Sequence, residues 1–401
     1  MKTFLVGGAV RDKLLGYPWT ERDWVVIGAT PEIMEAQGFI PVGKDFPVFL
    51  HPDTREEYAL ARTERKTGHG YAGFTFYCAQ DITLEEDLRR RDLTINAIAE
   101  DEQGNIIDPY QGRRDLEQKL LRHVSPAFAE DPVRILRIAR FAARYHHLSF
   151  RIAEETLTLM RSMVTSGEAD HLVAERVWKE MQRALGERSP AVFVSVLRDC
   201  NALTRVLPEL DHLFGIATET STVGDRALDS LKEASQLSSD TMVRFATLLH
   251  PLNEHHPTDE GSSSNSATTA ARHNTAIQQL CERIAAPKDY RELALIVAEL
   301  HHYCHRAQTL EPHEVLTLLQ RTDAFRRPQR FENFLLCSEA IARSEAQAAK
   351  DYPQADYLRA ALRACQAIDL KAIAARGFTG KAFGDELDRQ RLLEINAINR
   401  M

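Results

Sequence analysis

A chain of 401 residues is too long for one simple core, and ordinary domain sizes predict about two to four folding units. The formal net charge of -8 excludes a protein that coats nucleic acid through bulk charge, so contact with a polyanion has to come from a local patch. No run approaches the roughly eighteen apolar residues of a membrane span, and six scattered cysteines without a Cys-x-x-Cys pair exclude a zinc ribbon or a thioredoxin-like site.

The amino-terminal run from Met1 to Val10 starts like a short signal sequence, but Arg11 and Asp12 cut it off and no cleavage site follows. A cytoplasmic protein with reduced thiols and no membrane contact is expected. Within this run, Gly7-Gly8 forms a turn that lets backbone amides approach a phosphate, and the helix expected to follow points its positive end at that anion. Glu21 and Asp23, two apart on a predicted strand, leave it on one face, where they can hold divalent cations together. Glu57 opens another apolar strand and is a candidate third carboxylate.

Short β-like runs at Thr3 to Val6, Trp24 to Ile27, Val48 to Leu50, Tyr58 to Ala61 and Ile106 to Asp108 predict a mixed sheet. The charged, glycine-bearing stretch from Arg65 to Gly73 reads as a mobile loop beside a site. Arg89-Arg90-Arg91-Asp92-Leu93-Thr94-Ile95-Asn96-Ala97 sets three guanidinium groups beside an Asp, a Thr and an Asn, a combination suited to phosphate and ribose.

From about Leu116 apolar residues recur at three and four positions, strand-like runs disappear, and helices with short loops are expected to the end of the chain. Glu130-Asp131-Pro132-Val133-Arg134 leads into one such helix, with Pro132 expected in its first turn. An Asp accepts from an exocyclic amino group while a nearby Arg donates to a ring acceptor. Cytosine and adenine carry an amino group beside a ring acceptor, whereas uracil and guanine carry a carbonyl there, so one Asp131-Arg134 pair can take C and A and refuse U and G. Arg134, Arg137, Arg140 and Arg144 share about a third of the helix circumference and form the local basic patch that the net charge lacks. A polar run from Gly261 to Thr269 is expected to lack structure.

The Gly7-Gly8-Ala9-Val10-Arg11-Asp12 turn, Glu21-x-Asp23, Arg90-Arg91-Asp92-Leu93-Thr94-Ile95-Asn96-Ala97, Asp108-Pro109-Tyr110-Gln111-Gly112 and Glu130-Asp131-Pro132-Val133-Arg134 occur together in this order. With them the chain resembles the bacterial class II CCA-adding enzymes, tRNA nucleotidyltransferases of the polymerase β superfamily. The resemblance implies an α+β fold: a polymerase β-like nucleotidyltransferase head with a mixed sheet over 1–114, then an all-helical neck (115–150), body (151–225) and tail (226–401). It implies template-independent addition of C, C and A to the 3′ end of tRNA from CTP and ATP, by two-metal transfer with Mg²⁺, in a monomer or weak dimer. Carried over by position, it gives Gly8 and Arg11 to the incoming nucleotide, Glu21 and Asp23 to the metal, and Arg91 to ribose and phosphates. Asp131 and Arg134 become the base-reading pair, with Arg137 and Arg140 in the same nucleotide site.

Two features depart from that family. Position 21 is Glu where the family has Asp, which lengthens the carboxylate by about 1.3 Å in a coordination shell that tolerates little change. In the tail, related enzymes carry an HD phosphohydrolase domain, but the doublet here reads His250-Pro251, and proline offers no ligand. Among the tail histidines, His301 and His305 share a helix face at a spacing that could ligate. The expected outcome is a degenerate HD-like tail without phosphohydrolase activity. Poly(A) polymerases share the head motifs and are the alternative, although Gly43-Lys44-Asp45-Phe46 lacks their Gly-basic-basic-Phe run. A catalytically impaired tRNA-binding relative is the remaining alternative.

Overall fold

The protein is described by a computed structural model covering residues 1–19, 22–42, 48–66, 74–77, 79–253, 266–345 and 351–398. Glu21, Gly43 to Phe46, 67–73 of the predicted loop and most of the Ser-rich run lie outside these residues. The chain divides into two compact units, Met1–Val206 and Leu207–Met401.

The first unit opens on a seven-stranded sheet. Its strands are β1 (Lys2–Val6), β2 (Asp23–Ile27), β3 (Ile40–Val42), β4 (Val48–Leu50), β5 (Glu57–Leu60), β8 (Ala99–Glu100) and β9 (Ile106–Ile107). Their order is β3-β4-β5-β2-β1-β8-β9, with β2 and β5 parallel and the remaining neighbours antiparallel. The mixed sheet is therefore as expected. Val25 packs into a cluster with Val6, Leu88 and Ala97, while Val26 packs into another with Met34, Phe49 and Leu60. Successive residues of β2 thus bury opposite faces, which is why the strand reads as an unbroken apolar run.

Register places the chemistry. Val6, the residue before Gly7-Gly8, lies opposite Asp23, and Asp23 lies opposite Glu57 on the parallel neighbour. One end of three adjacent strands thus gathers the glycine turn and two carboxylates from distant parts of the sequence.

Three expectations need correction. β6 (Thr63–Lys66) and β7 (Phe74–Tyr77) pair antiparallel, so Arg65 and Lys66 belong to a hairpin strand rather than to the predicted loop. Their charges masked a strand whose neighbour, among the described residues, is β7 alone. Strands also persist beyond Leu116: β10 (Leu120–Leu121) and β11 (Arg151–Ile152) pair parallel, each too short to leave a period in the sequence. Finally, Ser266 to Thr269 begin a helix, Ser266–Arg283, instead of ending an unstructured run. Ala267, Ala270 and Ala271 supply helix propensity there.

After the sheet the first unit is helical. Val133–Tyr145 and Ala174–Gly186 are the two helices that matter for the site. In the second unit every named element is a helix, and four of its helices start at a proline: Pro208, Pro312, Pro328 and Pro353. Proline suits that position because the first turn has no use for its missing N–H. Among the described residues no helix is long and apolar enough to cross a membrane.

Candidate active site

Gly7 adopts φ +70 and ψ -127, a backbone region closed to most side chains, and it ends β1 so that a helix can start at Gly8. The backbone conformation is what requires glycine; a Cβ at Gly7 would also press on Nη1 of Arg91, 3.0 Å away. Gly7 and Gly8 border a cavity of about 830 Å³. Its lining carries ten arginines against four carboxylates, the latter being Asp23, Asp92, Asp131 and Glu187. A chain of net charge -8 thus holds a strongly positive concavity, suited to a polyphosphate.

Most of these arginines are fixed by partners inside the protein. Arg11 is buried; Nε and Nη2 donate to Asp12 at 2.8 and 3.0 Å and Nη1 donates to Asn96. Its guanidinium also lies 5.1 Å from the centre of the Phe141 ring. Asp12 further accepts from the Tyr145 hydroxyl at 2.8 Å and from Arg144 at 3.2 Å. Burial alone would depress the Arg11 pKa, yet hydrogen bonding and charge from Asp12 raise it. Arg11 therefore stays charged and rigid at the cavity wall.

Asp92 works in the same way. One carboxylate oxygen accepts from the Leu93 amide at 2.8 Å and from Asn96 at 2.9 Å, and the other accepts from Nε of Arg137 at 2.7 Å. Burial pushes its pKa up, but Arg137 and these hydrogen bonds outweigh burial and hold it far below the usual carboxylate range. Arg90 and Arg91 both reach Asp87, at 2.6 and 3.3 Å. Thr94 donates to Asp115 at 2.6 Å. The Asp108 carboxylate accepts from the amides of Gly112 and Arg113 at 2.7 and 2.9 Å, capping the Gly112–Gln118 helix. Much of the Arg-Arg-Asp-Leu-Thr-Ile-Asn-Ala motif is thus a buried frame that aims arginines, not a direct ligand set.

Asp131 stands before Pro132, which favours extended backbone, and it adopts φ -121 and ψ 107. That break ends the Pro126–Glu130 turn and starts the helix at Val133, with Pro132 one place earlier than expected, at the cap. Asp131 and Arg134 both line the cavity. They are held separately. Arg134 donates from Nη1 to the Ala127 carbonyl at 3.0 Å and from Nη2 to the Arg90 carbonyl at 2.7 Å, while Asp131 accepts from both terminal nitrogens of Arg176.

The expected stripe of Arg134, Arg137, Arg140 and Arg144 does line one wall. It is not an open solvated face, because Arg134 and Arg140 are each 7% exposed. Arg140 donates from Nε to Glu180 at 2.7 Å, and Arg137 lies 3.7 Å from the same carboxylate.

Arg176, Arg183, Gly186 and Glu187 complete the lining and come from the Ala174–Gly186 helix and the residue after it. Sequence reading did not single them out. The four-residue step from Arg176 to Glu180 places both on one helix face, which is the signal that could have found them.

The described carboxylates at the sheet end, Asp23 and Glu57, are exposed hard-oxygen donors in register on neighbouring strands, so they lean from the same face. That donor set fits a magnesium-type ion. Asp23 borders the cavity, whereas Glu57 is not among its lining residues. In the tail, His250, His301 and His305 come together with ring centres 5.4 Å apart for His250–His301 and for His301–His305. Their Nδ1 atoms are engaged by the Thr247 carbonyl, the Val297 carbonyl and the Tyr352 hydroxyl, at 2.7, 2.9 and 2.8 Å. Among the described residues no three His, Cys, Asp or Glu side chains are arranged to hold a metal ion.

The family model described as the poly A polymerase head domain matches residues 3–122, and the one described as a probable RNA and SrmB-binding site of polymerase A matches residues 149–214. A multifunctional CCA protein of Teredinibacter turnerae is 53% identical over 99% of this chain and 98% of its own length. That of Thioalkalivibrio sulfidiphilus is 54% identical over the same shares. Among solved structures, a CCA-adding enzyme in complex with ATP matches 98% of this chain and 86% of its own, with a TM-score of 0.68 at 20% identity. A CCA-adding enzyme with CTP matches 98% of this chain and 87% of its own, with a TM-score of 0.65 at 22% identity. At those identities the structures speak for the fold, and the near-full-length relatives speak for the family: the chain belongs to the multifunctional CCA proteins.

Proposed function

We propose that the cavity takes CTP or ATP and that the protein adds C, C and A in turn to the 3′ end of tRNA without a nucleic-acid template. The observation that carries this reading is that Asp131 and Arg134, which can select C and A by hydrogen-bond pattern, share one cavity with the Gly7-Gly8 turn and Asp23. A pure phosphate site would need no such pair.

In this reading the 3′-hydroxyl gives up its proton to solvent as its oxygen attacks the α-phosphorus, the bond to the bridging oxygen breaks, and pyrophosphate leaves. Asp23, Glu57 and Glu21 would hold divalent ions, which when bound offset triphosphate charge and lower the pKa of the attacking hydroxyl. Gly8 and Arg11 border the nucleotide, Arg91 serves its ribose and phosphates, and Arg137 and Arg140 neutralise developing negative charge. Because Arg11, Arg137 and Arg140 are already fixed by Asp12, Asp92 and Glu180, little reorganisation is needed when a triphosphate enters. We assign residues 1–114 to the nucleotidyltransferase head, 115–150 to the neck, 151–225 to the body and 226–401 to the tail.

For the tail we infer loss of phosphohydrolase chemistry. Pro251, at the second position of the His-Asp doublet, offers no side-chain ligand.

Incubation of tRNA lacking its CCA end with single nucleotides separates the alternatives. CTP alone should add two residues, and CTP with ATP should add three and then stop. Long tails from ATP alone would identify a poly(A) polymerase instead, and binding without extension would identify an impaired relative.

A further inference from the structure

Among the described residues four carboxylates border the cavity, and the proposed reaction uses three of them: Asp23 for metal, Asp92 to hold Arg137 and Asp131 to read the base. Glu187 is left over. It follows Gly186 in extended backbone, with φ -73 and ψ 168, so the chain leaves the Ala174–Gly186 helix at this residue. Neither the helix nor the surroundings favour a carboxylate there, because a helix C-terminus carries partial negative charge and the Glu187 side chain is only 19% exposed. The arginines supply the compensation. Burial raises the Glu187 pKa, while charge from Arg144, Arg140 and Arg11 acts in the opposite direction.

The two carboxylates beside Arg140 are not equivalent. Glu180 is buried and accepts from Nε of Arg140 at 2.7 Å, whereas Oε1 of Glu187 lies 3.7 Å from Nη1, a looser ion pair. Glu180 is an anchor, and Glu187 is a partner that a stronger anion can displace. We propose that Glu187 stands in for phosphate when the cavity is empty and weakens the hold on triphosphate and pyrophosphate when the cavity is filled. The inference rests on the reading of this cavity as the triphosphate site.

A cavity lined by ten arginines captures a triphosphate readily, but the leaving pyrophosphate presents the same kind of charge to the same guanidinium groups. Release is then the harder step. A carboxylate fixed beside those groups offsets part of their attraction for any polyphosphate, and it restores a counter-charge as the product departs. Exchanging one anion for another costs less than leaving a partly buried guanidinium without a counter-charge, so Glu187 trades affinity for release.

The test is calorimetric titration of the full-length wild type, Glu187→Gln, Glu187→Ala, Glu187→Asp and Arg91→Gln with CTP and with inorganic pyrophosphate, in Mg²⁺ and without tRNA, so that no transfer occurs. Glu187→Gln keeps the shape and removes the charge, and it should bind both anions about fivefold more tightly than wild type. That gain should shrink in about 0.5 M KCl, because it is electrostatic. Glu187→Asp keeps the charge and should stay within about twofold of wild type. Glu187→Ala is the second neutral variant should Glu187→Gln fail to fold, with thermal unfolding as the control. Wild-type or weaker affinity in the neutral variants, alongside weakened CTP binding by Arg91→Gln, would overturn the role of Glu187 alone. A gain that salt leaves unchanged would reveal a reshaped cavity and would overturn it too. Wild-type CTP affinity in Arg91→Gln would overturn the triphosphate site and the inference with it.

Discussion

At the scale of single residues, the tail histidines form a cluster in which His250, His301 and His305 stand within 5.4 Å of one another in turn. His250 is 8% exposed and its pKa is pushed down to about 3, first by burial and then by the neighbouring His301. His305 is pushed down to about 4, by burial and by His302. Both are neutral in the folded protein at pH 7. Their folded pKa values lie below the unfolded value near 6.5, so the unfolded chain binds more protons on acidification. The stability they allow is fully present above about pH 6.5 and is lost as pH falls towards 4 and 3. At pH 5.5, His250 alone should cost roughly 1 kcal/mol relative to neutral pH. Urea unfolding at pH 7.5 and 5.5 should show that loss, and a His250→Asn variant should reduce the pH dependence; equal dependence in both proteins would contradict the account. At the same scale, Gly8, Asp23, Asp131 and Arg134, singled out in the sequence, all border one cavity, whereas Glu57 does not. The sequence could not tell which arginines meet a ligand and which serve as frame, because that depends on partners such as Asp12 and Asp87, whose burial no linear pattern reveals.

At the scale of elements, the Ala174–Gly186 helix is the part that sequence reading left without a role. Its Glu180 is 5% exposed and joins Arg140, 7% exposed, at 2.7 Å. Replacing the carboxylate by an amide leaves a buried guanidinium short of its counter-charge. Glu187, 3.7 Å from Arg140, offsets only part of that loss. Glu180→Gln should therefore destabilise the protein by about 3 kcal/mol, seen as a lower unfolding midpoint, and should weaken CTP and ATP binding together without changing the choice between them. A midpoint at the wild-type value would show that the pair contributes little. The strands that were legible in the sequence are those with β-branched or apolar runs, such as Trp24-Val25-Val26-Ile27. Those that were not include two-residue strands, as at Leu120–Leu121, the charged Thr63–Lys66, and the short runs Ile40–Val42 and Phe74–Tyr77. Tertiary pairing, not local propensity, makes them strands.

At the scale of the whole molecule, the charge distribution resolves an apparent conflict: the chain is acidic overall, yet the cavity lining is rich in arginine. The local patch expected from the Arg134 to Arg144 stripe is present, and arginines from the sheet side and from the Ala174–Gly186 helix enlarge it. Such a site attracts a triphosphate without committing the whole surface to nucleic acid. The α+β head followed by helices was legible because the hydrophobic period changes near Leu116. The change of unit at Val206 was not, because helices lie on both sides of it.

We propose that Asp23, the carboxylate that opens β2, supports nucleotide transfer to tRNA. It is tested most directly by single-turnover incorporation of CMP onto tRNA lacking CCA, in Mg²⁺ and in Mn²⁺. Wild type should incorporate in both, faster with Mn²⁺; Glu21→Asp should be faster than wild type in Mg²⁺; and Asp23→Ala should lose at least about a thousandfold in rate while keeping its unfolding midpoint. Incorporation by Asp23→Ala at the wild-type rate would contradict the account.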